Sequence, residues 1–281
     1  MDISKIKPLL NSLDLFGQLP YFRGKGRLVV WLLRLLNSSG PLPIRLPDGS
    51  RILMSQKGLE LIAYFWLGKH QPEFTRIFWQ VVCMLPTGHS VIDVGAHIGY
   101  YSLMAAHCLQ RAGRGMVFAF EPHPQNFADL QRNKALNKLD NLIPIRKAVA
   151  DQSGQVTLFS SPLSGAHSLR QQPLHDHSYE VECTTLDSFM ASHTETKVGL
   201  IKIDAEGADL LVLYGAKQTI ERDKPYILFE ENEERGAFFG YSVQSARSFL
   251  QNLGYTVRTL RDENVDNAVA VPEGQDINFL Q

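Results

Sequence analysis

Apolar and polar positions change period abruptly at one place in this chain. Val91-Ile92-Asp93-Val94 is a short apolar run closed by Gly95, and from Ile98 through Ala106 apolar residues recur three and four apart. That change predicts a strand, a tight turn and a helix. Residues 115–120 form a second apolar run that ends in Glu121-Pro122, and residues 142–150 form a third that ends in Asp151. Strands are expected at 155–160 and 180–184, around a polar stretch at 160–178 read as a loop or flap. Thr185 or Asp187 is placed to cap a short helix. A buried strand at 198–203 ends in Asp204-Ala205-Glu206-Gly207 and leads into a helix through Ile220. A strand at 226–229 ends in Glu230-Glu231, and a helix at 242–253 is closed by Gly254. The last strands, 255–260 and 267–271, are close enough to pair antiparallel. Strands alternating with helices predict an α/β fold with a mostly parallel sheet.

Before this block the pattern differs. Residues 27–36 (RLVVWLLRLL) suit a short amphipathic helix; a membrane span needs about twenty apolar residues, and Arg34 interrupts this run. Alternating apolar residues around Pro47-Asp48-Gly49 at 44–54 predict a β-hairpin, and 59–67 and 74–85 have helical spacing. The boundary is expected near Pro86, with a 1–86 appendage making acceptor-side or oligomer contacts and an 87–281 catalytic domain. At 281 residues, 44% of them hydrophobic, the chain is long enough for both. A formal net charge of −1 calls for neither nucleic acid nor an anionic membrane as partner. Cys83, Cys108 and Cys183 are widely spaced without a CxxC pair, which argues against a disulfide framework or a structural zinc and for a reducing compartment. The first residues have no export pattern, so a cytoplasmic protein is expected.

The candidate chemistry starts at the turn. Gly95 and Gly99 suit a backbone that turns sharply and packs closely on its strand. His97 stands where a dinucleotide site has the glycine that admits a pyrophosphate, so the corner suits a nucleoside ligand without one, such as S-adenosylmethionine. Glu121, about twenty residues on, is placed to accept both ribose hydroxyls. Asp151 is placed to accept from the exocyclic amine of adenine. Carboxyl ends of parallel strands are where such sheets bind ligands.

The series VIDVGAHIGYYS, FEPHP, AVAD, GAHSL, TLDSF, IKIDAEGAD with VLYGA, and ILFE closely resembles the FkbM-type S-adenosylmethionine-dependent methyltransferases, over roughly residues 44–260. The resemblance implies a seven-stranded, mostly parallel Rossmann-like methyltransferase sheet and O-methylation of a hydroxyl on a sugar, lipid-linked sugar or polyketide-like natural product. It implies Asp93, Gly95, Ala96, His97, Gly99 and Tyr100 at the cofactor turn, Glu121 and Pro122 at the ribose, Ala150 and Asp151 at adenine, and Asp204 bordering the cofactor. Many members have Asn at the position of His97, and Tyr-Glu-Pro where this chain has His70-Gln71-Pro72. An alcohol acceptor gains from a general base, for which Asp204 and Glu206 are the first candidates and Lys202, Glu230, Glu231 and His167 the next. Lys202 has the alternative role of pairing an acid inside a strand, Glu206 that of opening a helix, and His123, like His167, that of a polar surface residue. Asp204, Glu206 and Glu230 approach the oxygen count of a magnesium site only if waters complete it, and no metal is expected. Two other readings stand beside the enzyme. One is a catalytically silent cofactor- or partner-binding module on the same fold; the other is a nicotinamide oxidoreductase, which His97 disfavours. A homo-oligomer is left open.

Overall fold

The computed structural model describes residues 42–46, 48–54, 71–113, 115–160, 167–171, 176–262 and 265–275. The expected helices at 27–36 and 59–67 lie outside the described residues. The chain divides into two compact units, 1–72 and 73–281. In the first, β1 (Leu42–Arg45) and β2 (Arg51–Met54) form the expected antiparallel hairpin. Gly49 makes its turn at φ +91°, and Asp48 accepts from the Ser50 hydroxyl at 2.8 Å.

The second unit opens with α1 (Pro72–Met84), continues through β3 (His89–Val94), α2 (Tyr100–Arg111), β4 (Val117–Phe120), α3 (Pro124–Asn137) and β5 (Leu142–Ile145), and reaches β6 (Ala148–Val149). Then come β7 (Gly154–Ser160), β8 (His177–Thr184), α4 (Leu186–Met190), β9 (Lys197–Ile203), α5 (Asp209–Gly215) and α6 (Lys217–Asp223). The chain closes with β10 (Tyr226–Glu230), α7 (Glu233–Ala237), α8 (Val243–Asn252), β11 (Tyr255–Asp262) and β12 (Val265–Pro272). The boundary between units falls ahead of the expected Pro86. The physical reason is α1, whose Phe74, Ile77, Phe78, Val81 and Val82 are all buried. The rings of Phe74 and Phe78 lie 5.3 and 4.9 Å from that of Tyr101 on α2.

Seven strands form one sheet in the order β11-β12-β10-β9-β3-β4-β5. From β10 to β5 every neighbour is parallel; β12 alone runs antiparallel to both its neighbours, β10 and β11. Strand order reverses between β3 and β9, and the crevice at their carboxyl ends is where an open sheet of this kind receives ligand. The core on the sheet includes Ile92, Val94, Phe118, Phe120, Ile201, Ile203, Ile227 and Phe229. Strands buried on both faces read as continuous apolar runs, as these do.

Two expected elements divide. The run 142–150 is not one strand. Lys147 N–H turns back to the Ile145 carbonyl at 3.0 Å, and β6 leaves to pair with β8 in a second sheet of order β6-β8-β7. Pro144 sits in β5, the edge strand. The Val117 and Glu121 amides donate to the Asn141 and Ile145 carbonyls, so position 144 alternates to the outer side, where proline's missing N–H is not needed by the ladder. The helix expected to run to Ile220 breaks at Ala216 into α5 and α6. Gly215 there lies so close to the second sheet's strand that a Cβ would meet the Ala150 carbonyl oxygen at 2.1 Å.

Both proposed caps are used, on different helices. Thr185 caps α4, accepting from Ser188 N–H at 2.9 Å. Asp187 instead reaches α6, accepting from Gln218 N–H, Thr219 N–H and the Thr219 hydroxyl at 2.9, 2.8 and 2.7 Å. Hydrogen bonds to a charged acceptor are stronger than those to a hydroxyl, so the two caps differ in weight. Asp187→Ala is expected to lower the unfolding free energy by about 2 kcal/mol and Thr185→Ala by about 1 kcal/mol. The check is urea unfolding, with the midpoint shifted and the slope unchanged.

Candidate active site

The turn after β3 is held from four directions. Gly95 and Ala96 N–H both donate to the Phe120 carbonyl, at 3.0 and 2.9 Å, and Gly99 N–H closes the turn on Ala96 at 2.8 Å. Asn133, fully buried on α3, donates to the Ile98 carbonyl at 2.8 Å. Gly95, at φ +73°, touches the next crossover so closely that a Cβ would stand 1.9 Å from the Asp204 carbonyl oxygen. His97 also adopts positive φ, at 52°. Buried Tyr100 opens α2, and Ser102 one turn in donates to Asp93 at 2.5 Å.

Lys202, 2% exposed, joins the two sides of the switch point. Its ammonium lies 3.1 Å from Asp93, donates to the Gly95 carbonyl at 3.0 Å, and stands 3.6 Å from Asp204. Burial works against its charge, but Asp93 and then Asp204 outweigh burial and hold the lysine above its ordinary range. That setting favours the ammonium, and of the roles read from sequence the geometry displays the ion-pair one.

Glu121, 5% exposed, uses its two oxygens on the backbone: His97 N–H donates to one at 2.7 Å and His123 N–H to the other at 2.9 Å. Burial pushes its carboxyl up to about 7 against those two donors. Pro122 is half-buried beside it. Ala150 is buried, while Asp151 is exposed at the end of β6, beside Gly215.

Beyond Asp204 the acids crowd around Arg235. This guanidinium lies 2.8 Å from Glu206 and 2.9 Å from Glu230. Glu206 sits at φ +52° in the turn ahead of α5, not in a helix, and the acid in the helix's first turn is Asp209. Burial, with Asp204 next to it, raises Glu206 well above the ordinary carboxylate range despite Arg235; burial and Asp204 likewise raise Glu230. Burial, then Glu230 and Asp204, pushes Asp209 up to about 8. Asp204 is the open member, its side chain 41% exposed. Among the described residues no group of three or more acids, histidines or cysteines is arranged to hold a metal ion.

Two candidates lie away from this cluster. Glu231 was a candidate base, but its side chain is 4% exposed and accepts from Arg247 Nε and Nη2, both at 2.6 Å. Successive residues at a strand's end face opposite ways, so Glu230 meets the crevice side and Glu231 meets α8. His167 stacks on His123 with centroids 4.0 Å apart, and both rings reach the Ser160 hydroxyl, at 3.2 and 3.4 Å. His123 is no loose surface group, since its Nδ1 accepts from Asn126 N–H as the cap of α3. From the expected flap, Ser168 bridges to Phe159 and donates from its hydroxyl to the Glu206 carbonyl at 3.1 Å. Sequence reasoning passed over Asp209, Arg235 and Ser168, although the first and last stood inside motifs singled out there.

Residues 93–257 match the family model described as Methyltransferase FkbM domain. The chain is 29% identical over 131 residues to "Hexuronic acid methyltransferase AglP" of Haloferax volcanii, a match covering 46% of this chain and 50% of that protein. It is 26% identical over 166 residues to "2-O-methyltransferase NoeI" of Sinorhizobium fredii, covering 53% and 66%. It is 27% identical over 250 residues to "31-O-demethyl-FK506 methyltransferase FkbM" of Streptomyces tacrolimicus, covering 78% and 90%. The chain thus spans 50% of the length of the Haloferax relative.

The buried lysine carries a stability consequence. Removing one partner of a buried pair leaves an uncompensated charge, which costs about 3–5 kcal/mol. Lys202→Met is expected to lower unfolding stability by that amount, and adding Asp93→Asn to recover much of the loss. Urea unfolding of both variants is the check.

Proposed function

We propose, for a chain that belongs to the FkbM methyltransferase domain family, transfer of a methyl group to a hydroxyl oxygen of a sugar or a small natural product. The cofactor is S-adenosylmethionine. The residues fit it. Gly95 lets the turn pack against the Asp204 carbonyl at the carboxyl ends of β3 and β9, and Glu121 offers a carboxylate at the adjoining strand end. The relatives' names, for a hexuronic acid, a 2-O position and a 31-O position, support an oxygen acceptor.

The observation that carries this reading is the position of Asp204, on the same ammonium that holds Asp93 and the Gly95 carbonyl. An open carboxylate is thereby fixed beside the cofactor corner. When bound, the cofactor supplies an electrophilic methyl carbon on a sulfonium, so the protein's work is to orient the acceptor, exclude water and receive a proton. Asp93, Gly95 and Ala96 shape the corner, and Glu121 would receive the ribose hydroxyls through its remaining lone pairs. Asp151 is assigned to the adenine amine. Asp204 takes the acceptor's proton. Glu206, raised by burial and tied to Arg235, lines the acceptor side beside it.

Asp204→Asn is expected to lower turnover a hundredfold or more with cofactor affinity nearly kept, and Glu206→Gln to lower it less. Single-turnover assays with labelled cofactor on a panel of sugars and small hydroxylated metabolites, beside calorimetric cofactor titration, decide this. Normal turnover in Asp204→Asn would remove it as the base.

Glu121 sets a pH dependence. Its folded carboxyl, at about 7, lies above the unfolded value, so its contribution to the fold is present below the ordinary range and is lost as pH rises through 7. A ligand donating two hydroxyls favours the ionised form and pulls the other way. Cofactor affinity is expected to rise about tenfold between pH 6 and pH 8. Glu121→Gln is expected to flatten that profile and to bind about tenfold more weakly at pH 8. A parent profile that is flat, measured by titration in matched ionic strength, would remove the ribose assignment.

A further inference from the structure

Behind the acid cluster lies a small cavity of about 20 Å³, with room for one small polar group, between α5, α7, α8 and the end of β10. Gly207, Asp209, Glu230, Asn232 and Tyr241 are among the residues lining it. Its polar groups are satisfied with one exception. Tyr241 donates from its hydroxyl to the Gly207 carbonyl and accepts from Leu210 N–H. Asn232 caps α7 through Arg235 N–H, and Glu230 is held by both oxygens on Arg235. Asp209 is different. It is 5% exposed, and its Oδ1 finds no hydrogen-bond donor among the described residues.

Charge is unbalanced there as well. Lys202 and Arg235 serve Asp93, Asp204, Glu206 and Glu230, and Asp209 forms no ion pair among the described residues. From the other elements around the cavity, Arg247 is taken by Glu231, and Glu233 accepts from Val243 N–H at the start of α8. A buried carboxyl oxygen without a donor is costly, and a neutral hydroxyl would answer the missing bond but not the charge. A compact cation with several N–H donors answers both.

We propose that this cavity is a subsite for a protonated amine, so that the acceptor is a hydroxylated molecule that also carries an ammonium group. The proposal deepens the methyl-transfer reading and rests on it, because Glu230, which shares Arg235 with Glu206, lines the cavity. The raised Asp209 carboxyl agrees with the geometry, since it is the form the site adopts without its cation. An ammonium would bring it back to the carboxylate and release a proton at neutral pH. A hexuronate, the substrate class in the Haloferax relative's name, would meet like charge here.

The test uses the full chain without cofactor and two matched pairs, ethanolamine against ethylene glycol and galactosamine against galactose. Ligand-observed NMR should find each amino member bound at least tenfold more tightly at pH 7.5. Affinity for ethanolamine should rise between pH 6.5 and pH 8, with proton uptake by the buffer. Asp209→Asn should abolish the preference, and Glu230→Gln should weaken it. Equal binding within each pair, an unchanged preference in Asp209→Asn, or displacement of ethanolamine by magnesium chloride with the same proton release would each overturn the proposal. If Asp209→Asn does not fold, the parent's pairwise preference and pH profile still decide. Cofactor titration, run separately, reports on the methyl-transfer reading alone, so failure of one is not failure of the other.

Discussion

The molecule depends on a buried ammonium. Lys202 stands in a central strand, out of water, on an interior carboxylate and a turn carbonyl. A charge in such a place is tolerated only when its partners are closely placed, so each partner's position becomes a condition of folding. Asp93 is the end of β3, Gly95 is the turn, and Asp204 is the end of β9. One cation therefore aligns the two strands that flank the reversal in strand order. The same arrangement keeps Asp93 from being a free acid and leaves Asp204 as the carboxylate that reaches solvent.

Glu121 extends the logic sideways. Its oxygens hold the amides of His97 and His123, which ties the glycine corner to the end of β4 and the start of α3. Asn133 on α3 then holds the Ile98 carbonyl of the corner. The corner is thus held by buried polar groups, Glu121 and Asn133 on backbone atoms and Lys202 on carboxylates as well as a carbonyl. That explains why so many of its side chains have displaced proton affinities: the same burial that fixes them removes the water that would favour charge.

Much of this was legible in the residues. Strand runs, the glycine corner and the acids at strand ends were visible because β-sheet burial writes continuous apolar stretches and the corner needs glycine where a Cβ would strike backbone. What was missed has physical reasons. α3 escaped notice because its inner face includes Asn126 and Asn133, so the apolar period is broken by the residues that do its work, and only Pro124 behind a capping His123 marked its start. The division of 142–150 was hidden because both halves are apolar and the turn between them is made by two ordinary basic residues. Glu230 and Glu231 are neighbours in sequence but fall on opposite sides of the sheet, a distinction that adjacency cannot reveal. Arg235 went unnoticed because its value lies in charge balance among acids drawn from two separate strand ends.

The proline in β5 bears on how this protein behaves when crowded. A bare sheet edge invites another chain to zip onto it, and aggregation through such edges is an ordinary hazard for parallel α/β proteins. Pro144 removes an amide hydrogen from the outward side of that margin, so an incoming strand meets a gap in its donor row. β11, at the opposite margin, contains no proline among its eight residues. Strand addition to the seven-stranded sheet is therefore less hindered at the β11 margin than at β5.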